Sequence, residues 1–284
     1  MPKTVNSLEF GVQSFRNNLK LFLPGGIIIL LFAVSIIAPF LSIYDPNKID
    51  LDSIKRPPGI DHPFGTDSKG RDMFARVVYG AKASIGVAVV AAFVSAFIGF
   101  FVGIVSGYFG GRLDTVLMSI TDFILSFPSL LLAIAISVVL PPGIYTVMIA
   151  ISVVSWTSFA RLIRGHVLTV KDMPFVDAAR AVGCGNLRIL LLHIAPLCVP
   201  LGLVMMGIKM GGFVLTEATL SFLGLGAQPP APTWGSMISA NRAYILTEPW
   251  MVIFPGLAIF ITAFCFNTTG ESLKDRQEAM GNRL

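Results

Sequence analysis

The chain has 284 residues, and only 13% of them are charged (21 Lys or Arg, 16 Asp or Glu) while 54% are hydrophobic. Soluble domains carry about 25% charged residues, so this composition excludes a soluble fold; it also excludes disorder, and three widely separated cysteines exclude a disulfide scaffold. A net charge of +5 suits basic residues beside anionic lipid, not a nucleic-acid ligand.

An all-α, polytopic membrane protein with about six transmembrane helices follows from where the charges are missing. A helix needs roughly 20 mainly apolar residues to cross the hydrocarbon core. Charge is absent between Lys20 and Asp45, Lys82 and Arg112, Asp122 and Arg161, and Glu248 and Glu271. The polar lead 1–20 is read as cytoplasmic, with 8–23 spaced for a helix along the inner surface. The first span, 21–43, shows no small-residue cleavage site before Pro39 and reads as a retained anchor. An outer loop, 44–82, precedes a core of five helices over 83–269. These lie near 83–108, 113–140, 144–160, 194–216 and 249–269, with Pro141-Pro142-Gly143 as a hairpin tip and 270–284 as a cytoplasmic tail. Basic residues lean to the side holding both termini, twelve against eight, which puts the termini inside.

Within this frame four features stand out. The helix at 83–108 carries Ala91, Ser95, Gly99, Gly103, Gly107 and Gly111 at four-residue spacing, a stripe that lets helix backbones approach closely. It serves either ordinary packing inside this chain or contact with moving neighbours. The segment 161–193 is too charged for lipid and too apolar for a loose linker. Pro174 offers a helix start, Asp177 sits in the first turn, and Gly183 with Gly185 offers a stop, so a short amphipathic helix is expected at the membrane face. Asp122, Lys209 and Glu217 fall within or at the ends of spans, where ionisable residues mark a cavity, a pair or a pathway. Lys209 is placed near mid-membrane and Glu217 at an outer helix end close to water. Beyond it, Trp234 follows a proline-rich stretch and reads as an interfacial anchor.

Several chemistries are excluded. No lysine directly follows a glycine, so no phosphate-cradling Gly-x-x-x-x-Gly-Lys loop occurs; no histidine or cysteine spacing suits a metal, and no Gly-x-Ser-x-Gly occurs. No catalytic residue, metal site or cofactor is expected in the chain.

Asp177-Ala178-Ala179, then Gly183, then Pro196 is similar in spacing to the cytoplasmic "EAA" signature of permease subunits of ATP-binding-cassette importers. Further motifs narrow the resemblance to the C-type permease of the dipeptide/oligopeptide/nickel branch. They include Phe64-Gly65-Thr66-Asp67, Gly70-Arg71-Asp72, Gly110-Gly111-Arg112-Leu113-Asp114 and Phe127-Pro128-Ser129. Later come Ala160-Arg161-Leu162-Ile163-Arg164, His193-Ile194-Ala195-Pro196, Leu220-Ser221-Phe222-Leu223-Gly224-Leu225-Gly226 and Phe254-Pro255-Gly256. Asp177 stands where the family usually has Glu, and Ala195 where it often has Leu.

The resemblance implies a type I importer permease that forms half of a translocation pathway for short peptides by alternating access. Its loop 161–193 would carry a coupling helix, with Asp177, Ala178, Ala179 and Gly183, and secondarily Arg180, meeting a cytoplasmic ATPase. Implied partners are a second homologous permease subunit, two ATP-binding subunits that hold ATP and Mg, and an extracytoplasmic solute-binding protein, all at the inner membrane. Nickel or another small solute is an alternative cargo. Lys209 would face the pathway or pair with an acidic group of the partner subunit. The rival reading is an ion-coupled secondary transporter using Asp122, Lys209 and Glu217; an intramembrane enzyme is more remote.

Overall fold

The computed structural model describes residues 24–30, 33, 37 and 44–281. Residues 24–30 are helical, inside the expected first span; the lead 1–20, most of 21–43 and residues 282–284 lie outside the described residues. Among the described residues the secondary structure is helical, with one isolated antiparallel bridge, Thr66 to Asp72. Four helices are long and apolar enough to cross a membrane, or five when a bent pair is taken as one span.

Helix α1 spans Met73–Phe109 and starts ten residues before the apolar window at 83. Asp72 sets that start, its carboxylate accepting from Ala75 N at 2.7 Å as an N-cap. At 1.5 Å per residue its 37 residues run roughly 55 Å, well beyond the ~30 Å hydrocarbon core. Arg76 therefore sits in a helical extension, buried, donating to the Pro46 carbonyl at 2.8 Å.

The expected single helix at 113–140 is two: α2, Gly111–Leu125, and α3, Ser129–Val139, bent by 88°. Pro128 is the cause. It lacks an N–H and biases Phe127 away from helical backbone, while Ser126 Oγ donates back to the Phe123 carbonyl at 2.7 Å and closes the α2 end. Helix α4, Ile144–Val170, runs ten residues past the expected end at 160.

The α1–α4 pair is the most extensive helix interface, and the small-residue stripe explains it. A Cβ on Gly103 would lie 2.6 Å from the Ala160 carbonyl oxygen, and one on Gly107 would lie 2.8 Å from Val167 Cβ. The two backbones touch where side chains are absent. Of the two readings of the stripe, packing inside this chain is the one observed for Ala91 to Gly107, all buried; Gly111 is exposed and begins α2 at φ +58. Because α1 ends at Phe109 and the chain turns through Gly110 and Gly111, both at positive φ, that last position leaves the seam.

Helix α5, Pro174–Ala181, is the expected short amphipathic helix. Helix α6 spans Asn186–Phe222, with a π-helical turn at Ile189–Ile194 that the sequence reading does not contain. Pro196 follows it: it removes an amide donor and crowds the Leu192 carbonyl, so the ladder widens, and Ala195 N donates to the Leu190 carbonyl. Helix α7, Trp234–Asn241, begins with a Thr233/Ser236 capping box. Trp234 is a core residue, not an interfacial anchor: it is 1% exposed and its Nε1 donates to the Val77 carbonyl at 2.9 Å. Helix α8, Trp250–Gly281, runs through the expected tail.

Two buried apolar clusters hold these helices. The larger joins α1, α4, α6, α7 and α8 around Ile85, Ile151, Phe213, Trp234 and Met251. The smaller, around Ile104, Ile163, Val167, Val176, Ile189 and Ile194, ties the C-terminal halves of α1 and α4 and the start of α6 to α5.

Candidate functional site

Helix α5 is held by few bonds and a deep root. Met173 is its extended N-cap and Pro174 opens it, where a missing N–H costs nothing. At the far end Gly183 adopts φ +84; its N–H reaches the Arg180 carbonyl at 2.9 Å while Cys184 N reaches the Ala179 carbonyl at 3.0 Å. This is a Schellman stop, and glycine occupies its left-handed position without strain. Val176 is fully buried in the smaller cluster and Ala179 packs beside it, so i and i+3 point inward. Phe175, Asp177, Ala178, Arg180, Val182 and Gly183 are exposed. All five proposed coupling residues thus lie on one short helix and its stop, four outward and Ala179 at the inner edge. Arg180 Nη1 donates to Asp177 Oδ1 at 3.0 Å.

Between the ends of α1, α2 and α4 lies an ion-pair network that sequence spacing could not reveal, its partners being 50 residues apart. Arg164 of α4 grips Asp114 of α2 with both arms, Nε to Oδ1 and Nη2 to Oδ2 at 2.6 Å each. Ser106 of α1 donates to the same carboxylate, and Lys171 Nζ caps the Gly107 carbonyl at 3.2 Å. Asp114 sits in the first turn of α2, where the helix dipole favours an anion. The C-terminal part of α1, the start of α2 and α4 are therefore joined through one carboxylate. Both residues stand in motifs that carried the resemblance, which was the one available signal.

The three ionisable residues expected in a pathway separate. Asp122 pairs with Arg161 at 2.5 Å across α2 and α4, both side chains more than half exposed. Glu217 is not at a watery helix end: it is 1% exposed, with Ser221 Oγ donating to it at 2.7 Å in the packed core. Lys209 alone lines a cavity. A recess of about 540 Å³ opens between the α2/α3 bend, α4 and α6, and a second of about 380 Å³ lies on the other side of the same lysine.

This chain is similar to known transport proteins over most of its length. Residues 99–278 match the family of binding-protein-dependent transport system inner membrane components. The glutathione transport system permease protein GsiD of Shigella boydii serotype 4 is 43% identical over 249 residues, covering 87% of this chain and 82% of that protein. GsiD of Escherichia coli (strain UTI89 / UPEC) is likewise 43% identical over the same length. Among solved structures, an inward-facing form of the MetNI methionine ABC transporter superposes with a TM-score of 0.53 at 18% identity, covering 71% of this chain and 97% of that one. An amino acid ABC transporter superposes with a TM-score of 0.55 at 15% identity, covering 72% and 94%. The chain belongs to the family of binding-protein-dependent transport system inner membrane components, in the peptide/oligopeptide branch of ATP-binding-cassette importer permeases, and has their type I fold.

Proposed function

We propose that this permease forms half of the translocation pathway of an ATP-driven importer of short peptides, beside a homologous but distinct permease subunit. The relatives named for glutathione transport support a peptide cargo, glutathione being a peptide. Both termini lie in the cytoplasm, and the segments 1–20, 44–82, 161–193 and 270–284 flank the spans as inner, outer, inner and inner regions. ATP and Mg belong to two cytoplasmic ATPases, and a binding protein delivers solute from outside.

One observation carries the coupling assignment: α5 exposes nearly everything except Val176, which reaches into the cluster shared by α1, α4 and α6. In this reading an ATPase grips Asp177, Ala178, Ala179, Arg180 and Gly183. The two alanines allow close seating, and the carboxylate offers a charge-assisted acceptor. Closure of the ATPases displaces α5. A close-packed cluster passes the displacement on, because packed cores switch between arrangements and do not yield continuously. The bidentate Arg164–Asp114 pair keeps α1, α2 and α4 moving together.

The test is reconstitution. Uptake into proteoliposomes is expected only with the ATPases and ATP, and Asp177→Arg should lower ATPase co-purification and uptake together. Uptake driven by an ion gradient without ATPases would instead establish a secondary transporter.

A further inference from the structure

We propose that Lys209 is the cation that receives a substrate carboxylate, in the recess between the α2/α3 bend and helices α4 and α6. The inference rests on the peptide-importer reading and adds to it the chemical group that is recognised.

The recess has about 540 Å³, within the 300–1,000 Å³ range of small-molecule sites. Among the described residues Lys209 is the one charged residue on its wall; the other polar side chains are Ser129, Ser155, Ser158, Thr216 and Asn267, and no Asp or Glu lines it. Hydroxyls and an amide can meet peptide N–H and C=O groups, and the ammonium can meet a carboxylate. The lysine is placed by a close helix crossing. A Cβ on Gly207 would lie 3.4 Å from Gly270 Cα, and a Cβ on Gly211 would lie 2.8 Å from the Ala263 carbonyl oxygen. These glycines flank Lys209 on α6, so its backbone is held against α8 on both sides.

The neighbouring charges are already spent. In the second recess Glu278 pairs with Lys274 at 3.7 Å, and Asp122 pairs with Arg161. Among the described residues no carboxylate lies in ion-pair reach of Lys209. Lys209 is level with the Asn267–Gly270 end of the charge-free stretch of α8, and a ligand carboxylate would give its ammonium a charge-assisted partner while it is bound. The carboxylate can be a peptide's C-terminus or an acidic side chain.

The test uses the full importer in proteoliposomes, with Cys184, Cys198 and Cys265 replaced and Ser155→Cys as a reporter. An anionic methanethiosulfonate should modify it about tenfold faster than a cationic one, because a lysine in a low-dielectric recess concentrates anions. The preference should vanish in Lys209→Met and survive in Lys209→Arg. Uptake of trialanine, trialanine amide and Ala-Glu-Ala amide completes the experiment. Lys209→Met should lower trialanine uptake and leave the amide unchanged, and the third peptide shows whether a side-chain carboxylate serves as well. Equal rates for the two reagents with native Lys209, or an acid-to-amide ratio unaltered by Lys209→Met, overturns the proposal. Equal rates together with lost assembly in Lys209→Met would mark a pair with an acidic group of the partner permease, and overturns it also. Uptake of no peptide at all refutes the importer reading instead, while the reagent preference still reports the charge in the recess.

Discussion

Segment 44–72, ahead of α1, and segment 171–188, between α4 and α6, are both polar, and they are built on opposite principles. The first closes on itself. Asp67 accepts from Arg71 Nε at 2.7 Å and lies 3.8 Å from Arg76 Nε, His62 meets Asp72 at 2.8 Å, and all five residues are buried. Phe64 stacks on Phe254 with ring centroids 4.0 Å apart, and Trp250 Nε1 donates to the Thr66 carbonyl. The second has one fully buried residue before Ile189, Val176, and leaves Val182 and Leu187 exposed at 85% and 68%. A segment that satisfies its own polar groups is a fixed part of the scaffold. One that leaves charge and apolar surface open on a rooted helix fits the docking role proposed for it.

The sharpest way to break this contrast is Asp67→Ala. It strands two buried guanidinium groups, and removing one partner of a buried pair costs about 3–5 kcal/mol. A large fall in the melting temperature of the purified complex is expected, with uptake lost for want of protein. A melting curve close to that of the unmodified protein would mean that the Asp67 lattice is not a scaffold.

Gly183→Val probes the other segment with a smaller expected effect. A side chain at φ +84 costs about 1–2 kcal/mol, and nothing lies within 4 Å of a Cβ there, so no clash is added. The cost falls on the Schellman stop, not on the core. Melting should move slightly while ATPase co-purification drops clearly; equal losses in both would place Gly183 in the scaffold.

The contrast also shows what the sequence could tell. Apolar windows located the four long apolar helices and the bent α2/α3 pair because lipid demands them, and Pro174 with Gly183 bounded α5 because helix ends demand special backbone. The start of α1 at Met73 was hidden, since an Arg76 buried against Pro46 O and Asp67 looks in sequence like any loop arginine. The break at Pro128 and the π-turn before Pro196 follow from local proline chemistry, yet apolar composition alone masks both. Long-range pairs such as Asp114–Arg164 leave no spacing at all. Glu217 and Lys209 sit two turns apart on α6 with opposite surroundings, which only the neighbouring helices decide.

The smallest expected effect separates folding from docking most cleanly. The Asp177–Arg180 pair spans one turn of α5 with both side chains largely exposed, at 66% and 45%. Such i, i+3 pairs contribute about 0.2–0.5 kcal/mol, so Arg180→Ala should leave the melting temperature of the complex unchanged. It does, however, release the Asp177 carboxylate from its one side-chain donor. Re-ordering a freed side chain at an interface costs about 0.5–1 kcal/mol, which corresponds to docking weaker by about two- to fivefold. Titrating the ATPase onto the reconstituted permease pair reads that shift directly. Unchanged affinity would mean that Arg180 does not orient Asp177 for its partner, leaving the carboxylate to be positioned by the ATPase cleft itself.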